Sequence, residues 1–372
     1  MKKITILALH LGYGGIEQYI LSLCKMFSED YKIDIISTYK IYDKPVFEFP
    51  KNVSISYLIN GGPNKTQLRK EISSKNLIGI IKQLVISAKI IANKYIKNII
   101  AIKKINSDYI ITTRDFHNKL VGKFANKKII KIATEHNYHN NNIRYVNKIV
   151  NSVKKMNYLV VVSKNLQEYY SKKIKKVKCI YISNVLDKMP EKKSDLKNNN
   201  LICVGRLSPE KGQLDLLNVV RYLKEKNSNI KLYLIGDGIL MSELKLKIQE
   251  LNLENNVELL GFKSKKEIEK YMLNSSVFVL PSYSESFGLV LIEAMSYGVP
   301  CVAFDSSDGA CELLKNNIGI LVKNRDTKDM AIQIEKIFED AKLKLELSNN
   351  GYNYCKRFLM ENIKKEWEKI LK

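Results

Sequence analysis

The sequence predicts an α/β protein made of two doubly wound parallel-sheet domains in tandem. Short continuous apolar runs alternate with segments of helical periodicity, as expected of strands covered on both faces. Glycine turns follow several of these runs, where a strand hands over to a helix. The alternation stops once, at a polar stretch, and then restarts. At 372 residues the chain is long enough for two domains that each bury a core. Its 45% apolar and 27% charged residues place it among soluble globular chains and exclude disorder.

The first domain, residues 1–187, opens with ITILALHL (Ile4–Leu11). Gly12, Gly14 and Gly15 break that run, and IEQYILSLCKMF (Ile16–Phe27) follows with helical spacing. The apolar run is only about seven residues long and no small-residue cleavage site follows, so a first strand is expected there and not a signal peptide. KIDIIST (Lys32–Thr38), YIITT (Tyr109–Thr113), KIATEH (Lys131–His136) and YLVVVS (Tyr158–Ser163) read as further strands, with Ser163 placed to cap the next helix. The run DKMPEKKSDLKNNN, Asp187–Asn200, is empty of core residues, which sets a linker at 188–200. The second domain, 201–352, repeats the pattern through LICVG (Leu201–Gly205), a helix from about Gln213, IKLYLIG (Ile230–Gly236), a helix near 239–251, VELLG (Val257–Gly261), a helix near 264–273, VFVLP (Val277–Pro281) and PCVAFD (Pro300–Asp305). Residues 353–372 are expected to form a closing helical segment. Ligands of doubly wound sheets sit at the carboxyl ends of the strands.

Charge is distributed unevenly. Residues 1–200 hold 37 Lys+Arg against 14 Asp+Glu, and residues 201–372 hold 25 against 24, so the first half carries +23 of the net +24. That field points the first domain towards a polyanion, and an anionic membrane surface is the expected partner. The chain has no basic runs interleaved with stacking aromatics, so no nucleic-acid partner is expected. Residues 77–105 read as a basic, amphipathic helix. Lys82, Lys89, Lys94 and Lys97 interrupt every window of about twenty apolar residues, so it cannot span a bilayer. It either lies on a membrane or packs on the sheet with its lysines in water. Six scattered cysteines, with no C-x-x-C pair, suggest neither a zinc site nor a disulfide framework and fit a reducing cytoplasm.

Two segments carry the chemistry. VGRLSPEKGQ (Val204–Gln213) places Arg206 and Lys211 between a strand and a helix, a combination suited to a diphosphate. No D-x-D triplet occurs, so no metal or cofactor is expected and the diphosphate charge falls to side chains. GDG at Gly236–Gly238 ends the next strand, where backbone can approach a ligand. PSYSESFGLVLIEAMSYGVP (Pro281–Pro300) sets Glu285 and Glu293 eight residues apart beside a core-facing helical pattern. Helical spacing of 285, 289 and 293 puts the first glutamate at the helix mouth and the second about two turns in. A sugar diol would satisfy a carboxylate placed there, and the first-turn amides of Phe287, Gly288 and Leu289 would hold a phosphate or sugar oxygen.

With these motifs in order, the chain resembles the large family of retaining, nucleotide-sugar-dependent glycosyltransferases of GT-B fold that carry an E-x7-E signature, here SESFGLVLIEAMSYGVP. The Gly14-Gly15-x-Glu17 turn, TEHN with His136, VVSKNL (Val161–Leu166) and VGRLSPEKG match in sequence order, and the resemblance covers essentially the whole chain. It implies two Rossmann-like domains with an interdomain cleft and a metal-free donor site. Arg206 and Lys211 would hold the donor diphosphate, Glu293 the ribose, and Glu285 with Phe287, Gly288 and Leu289 the sugar and phosphate. Gly15 would let a first-domain loop approach the phosphates, and His136 would sit near the transferred sugar, with His139 and His117 as competitors. The implied activity is transfer from a nucleotide diphosphate sugar, UDP-linked by preference, to a lipid-linked or polysaccharide acceptor of the bacterial envelope or capsule, at the inner face of the membrane. The family's last helix returns to the first domain, as Arg357–Lys372 would. One departure is the Asn184-Val185-Leu186-Asp187 loop, which lacks the usual glycine. An epimerase of the same fold and a non-catalytic partner subunit are the alternatives.

Overall fold

Strands form where apolar runs are buried on both sides. In a computed structural model, which describes residues 1–139, 142–226 and 229–372, the chain divides into two units. The first comprises Met1–Val161, Leu166–Ile182 and Trp367–Lys372; the second comprises Val162–Asn165 and Ser183–Glu366. Asn184–Asp187, assigned from the sequence to the first domain, thus group with the second unit.

The first unit runs β1 (Lys3–Ala8), α1 (Gly15–Phe27), β2 (Lys32–Lys40), β3 (Ser54–Asn60), α2 (Lys65–Ser73), α3 (Leu77–Lys104), β4 (Tyr109–Thr112), α4 (Asp115–Phe124), β5 (Ile130–Glu135), α5 (Ile143–Val153), β6 (Tyr158–Val161), α6 (Lys164–Lys173) and β7 (Lys178–Tyr181). Its seven strands lie in the order β3-β2-β1-β4-β5-β6-β7, all parallel. The second unit runs β8 (Asn200–Val204), α7 (Gln213–Lys226), β9 (Lys231–Ile235), α8 (Met241–Glu250), β10 (Val257–Gly261), α9 (Lys265–Leu273), β11 (Val277–Leu280), α10 (Leu289–Ser296), β12 (Cys301–Phe304), α11 (Asp308–Leu314), β13 (Ile320–Val322), α12 (Thr327–Glu339), α13 (Ala341–Cys355) and α14 (Met360–Glu368). Six parallel strands take the order β10-β9-β8-β11-β12-β13, and Leu201, Val277, Val279 and Val302 lie at the centre of their core.

Both orders reverse at one place. In the first sheet β1 has β2 on one side and β4 on the other; in the second, β8 stands between β9 and β11. A reversal of strand order opens a crevice beyond the carboxyl ends of the two strands that flank it, and that is where ligands of such sheets bind. The loops after β1 and β4, and after β8 and β11, are therefore the places to look for chemistry.

Helix α3 departs from the sequence-based picture in which it packs on the sheet, because most of its apolar face is left uncovered. Only Asn98 and Ile102 are buried among its 28 residues. Its N-terminal part leans on α2, where Ser87 Oγ donates to Asn64 Oδ1 at 2.8 Å. Leu77, Ile78, Ile81, Leu84, Val85, Ile91, Tyr95 and Ile96 are exposed, Ile78 by 82% and Val85 by 64%. Their spacing of three and four places them on one side of the helix. The four lysines are not equivalent either. Lys94 Nζ lies 3.7 Å from the Phe116 ring centroid and Lys97 donates to the Leu58 carbonyl at 2.9 Å, whereas Lys82 and Lys89 are exposed. No described helix is long and apolar enough to cross a membrane.

Candidate active site

In the second unit, the reversal point brings together two loops that the sequence keeps far apart. After β8 the chain makes a short 3-10 turn, Pro209–Lys211, and enters α7 through Gly212. Gly212 has φ +68°, and a Cβ there would lie 2.1 Å from the carbonyl oxygen of Pro281 on the loop after β11. Only glycine permits that approach. Tyr283 N donates to the Glu210 carbonyl at 2.9 Å and joins the loops again. The result is a direct ion pair between Lys211 Nζ and Glu285 Oε1, from residues 74 positions apart. Both are half-buried, and Ser282 Oγ donates to the same carboxylate oxygen at 3.2 Å.

The helix expected to start at the first glutamate starts later. Gly288 has φ +87° and ψ +52°, a left-handed cap, and α10 begins at Leu289. Glu285 therefore lies on the loop before the helix, and Glu293 is little more than one turn inside it, not two. The loop is braced from two sides. Phe287 is buried with its ring 5.5 Å from that of Phe358, and Gly309 N donates to the Glu285 carbonyl at 3.2 Å. Gly309 also presses on the Phe287 peptide, where a Cβ would meet the carbonyl at 2.6 Å. Among the described residues the amides of Phe287, Gly288 and Leu289 make no hydrogen bond, so the mouth of α10 offers donors. Glu293 is half-buried; its carbonyl accepts from Ser296 Oγ at 2.6 Å, and its carboxylate makes no hydrogen bond or ion pair among the described residues. Burial raises its carboxyl above the usual range; Lys265 opposes that rise and Asp187 adds to it.

Arg206 is exposed and pairs with Glu210 at 3.0 Å, so of the two expected cations only Lys211 meets Glu285. Gly236 has φ +145°, and a Cβ there would lie 1.8 Å from the Gly205 carbonyl oxygen, so this turn closes directly on the start of the Arg206 loop. Among the described residues, no three His, Cys, Asp or Glu side chains group so as to hold a metal ion.

In the first unit the loops after β1, β4 and β5 form a second cluster. Gly15 is exposed at the first turn of α1, and a Cβ there would meet nothing within 4 Å. His136 follows β5, with Nε2 2.9 Å from Thr134 Oγ1 and Tyr19 edge-on at 4.2 Å. Burial, with the Arg114 charge nearby, lowers its pKa to about 3, so the imidazole is neutral at physiological pH. Its competitors are tied into the packing: His117 is fully buried with Nε2 2.9 Å from Thr38 Oγ1, and His139 is buried and stacked on Tyr169 at 4.0 Å. Sequence reading named Glu17 only as part of a motif match and missed two members of this cluster, His10 and Arg114. Buried Glu17 lies 3.4 Å from His10 Nδ1 and 3.9 Å from the Arg114 guanidinium. Burial pushes the Glu17 carboxyl up, against the pull of its backbone hydrogen bond and those two neighbours. In the second unit the reading also missed Asp215, Tyr283 and Arg325, whose contacts are described below; the available signal was an arginine between a strand and a helix, as at Arg206.

Comparison with known proteins bears on both units. Residues 185–354 match the family described as Glycosyl transferases group 1. Over 96% of its length the chain is 25% identical to an exopolysaccharide phosphotransferase of Streptomyces coelicolor, of which it spans only 39%. It is also 25% identical to an α-1,4-N-acetyl-D-galactosaminyltransferase of Campylobacter jejuni, covering 100% of this chain and 98% of the relative, whose name gives a diphospho-undecaprenol-linked glycan as its substrate. A crystal structure of S. aureus TarM, a mutant in complex with Fondaparinux, alpha-GlcNAc-glycerol and UDP, superposes with a TM-score of 0.80 at 17% identity, covering 100% of this chain and 99% of that one. The architecture is the GT-B fold, with two Rossmann-like parallel-sheet units.

Proposed function

We propose that this chain is a retaining glycosyltransferase of group 1 that moves a sugar from a nucleotide diphosphate donor, UDP-linked by preference, to a lipid-linked or polysaccharide acceptor without a metal. The observation that carries the reading is the Lys211–Glu285 pair at the reversal point of the second sheet, beside the open amides of α10. Lys211 and Arg206 would take the diphosphate as it leaves, and Glu285 with the α10 amides would orient the sugar. Glu293, unpaired and half-buried, would accept from the ribose hydroxyls. Neutral His136 would face the transferred sugar as a hydrogen-bonding group and not as a cation. Preorganised charge of this kind stabilises a departing diphosphate without a separate acid–base pair. The family match, the C. jejuni relative and the UDP held by the TarM structure support this reading. A thermal-shift screen of nucleoside diphosphates and nucleotide sugars tests it: UDP or a UDP-sugar is expected to raise Tm, with donor turnover unchanged in chelator. Loss of turnover in chelator would remove the metal-free part, and no shift with any nucleotide would remove the donor site.

The acceptor side of the proposal places the first unit on the inner face of an anionic membrane. Residues 77–104 contain no Asp or Glu, and exposed Lys82 and Lys89 flank the outward apolar face of α3. Burying one large apolar side chain is worth about 1.5–3 kcal/mol, so the seven aliphatic ones left in water forgo on the order of 10 kcal/mol, and a face of that size marks an interaction surface. A second copy of α3 on this face would set lysines against lysines; anionic lipid supplies the missing charge. Replacing Ile78, Ile81 and Val85 with Asn is expected to reduce co-sedimentation with phosphatidylglycerol vesicles at least about tenfold, as roughly 0.8 kcal/mol is lost per buried methylene. Binding as strong as that of the unmutated chain would overturn the assignment.

A further inference from the structure

The donor pair has a support that none of the motifs contains. Arg325 lies between β13 and α12, outside both motif segments, and its backbone is left-handed at φ +62°, a conformation that residues with a Cβ adopt at a cost. Its guanidinium is fully engaged in the second unit. Nη1 pairs with Asp215 Oδ2 at 2.7 Å, Nη2 donates to the Pro281 carbonyl at 2.5 Å and Nε donates to Asn324 Oδ1 at 3.1 Å. Its Cζ lies over two rings, 3.9 Å from the Tyr283 centroid and 4.1 Å from that of Phe304. Tyr283 OH donates to the same Asp215 oxygen at 2.8 Å. Asp215 is in the first turn of α7, just past Lys211; Pro281 and Tyr283 are on the loop that carries Glu285. A Cβ on Gly212 would come within 2.9 Å of Nη1, so the guanidinium also fills the space that Gly212 leaves open.

We propose that Arg325 is a positioning residue: it locks the Lys211 loop to the Glu285 loop and so fixes the cation that meets the donor diphosphate. The function assigned to that lock rests on the donor-site reading; the lock itself rests on the contacts above. Lysine cannot replace it, because the site uses a planar, forked donor that lies over two rings and reaches a carboxylate and a carbonyl at once.

Two measurements on the full chain test this. The first needs no ligand. In Arg325→Lys, acylation of the Lys211 amine by an N-hydroxysuccinimide ester, read by mass spectrometry against exposed Lys245 as the internal reference, is expected to rise several-fold, because Lys211 leaves its carboxylate. Unchanged Lys211 labelling in a folded variant overturns the proposal. Asp215→Asn, which removes only the ion pair, serves in its place if Arg325→Lys does not fold. The second is a cycle read by UDP binding: Arg325→Lys is expected to weaken UDP about tenfold in the unmutated background and hardly at all in a Lys211→Ala background. Equal losses in the two backgrounds would show that Arg325 does not act through Lys211 and would overturn its role. If labelling rises but the unmutated chain does not bind UDP, the lock stands and the donor-site reading falls.

Discussion

Lys211→Ala is expected to lower kcat/KM for the nucleotide-sugar donor by roughly 10²–10³-fold, the loss typical when one preorganised group is taken from developing transition-state charge. Stability should change far less. Lys211 and Glu285 are half-buried, not sealed from water, and partly solvated ion pairs contribute only about 0–1 kcal/mol. The variant also leaves Glu285 with Ser282 as its remaining side-chain partner among the described residues, so a carboxylate without its cation faces the incoming diphosphate. Steady-state kinetics and a melting curve on the same preparation separate the two effects. Turnover within about threefold of the unmutated chain would take Lys211 out of the donor site.

Glu293→Gln is expected to do two opposite things. It should weaken nucleotide diphosphate binding by roughly 10–100-fold, because hydrogen bonds to a charged acceptor are worth about 1.5–3 kcal/mol. At the same time it should raise the Tm of the ligand-free protein at neutral pH. Burial lifts the Glu293 carboxyl above its ordinary value, so ionising it costs more in the folded chain than in the unfolded one. That cost is absent below the ordinary carboxylate pKa, grows as pH rises through the interval up to the folded value, and is complete above it. The gain in Tm over the unmutated chain should therefore vanish at pH below the ordinary carboxylate pKa and grow as pH rises above it. Unchanged UDP affinity in isothermal titration calorimetry would end the ribose assignment; an unchanged Tm at pH 8 would end the account of its burial.

What could be read from the chain follows physical lines. The central strands of both sheets, such as β1, β8 and β11, are buried on both faces and stand out as unbroken apolar runs. Strands β3, β7 and β13 lie at sheet edges, half in water; SISYLIN is broken by polar residues, KCIY opens on an exposed lysine, and ILV is only 3 residues long. In the site, the residue types were legible and the partnership was not. Lys211 and Glu285 meet because β8 and β11 are neighbours, a fact of strand order that neither segment encodes locally. Helical spacing across 285–293 led to a helix that starts too early, since a left-handed glycine at 288 caps the helix at a point periodicity cannot locate. For α3 the amphipathic pattern was legible, but periodicity gives the width of an apolar face and not the direction in which it points.

The last described residues bear on the order in which the chain becomes stable during synthesis. Trp367 is fully buried, and Tyr31 OH and Tyr109 OH donate to the carbonyls of Leu371 and Lys372. These six residues are counted with the first unit although they are made after the whole of the second. A nascent first unit thus emerges without the buried Trp367 and with two tyrosine hydroxyls lacking their carbonyl acceptors. Because the second unit runs to Glu366 and Trp367 follows it directly, ribosome-bound intermediates carry an unsealed first unit for as long as the whole second unit takes to be made.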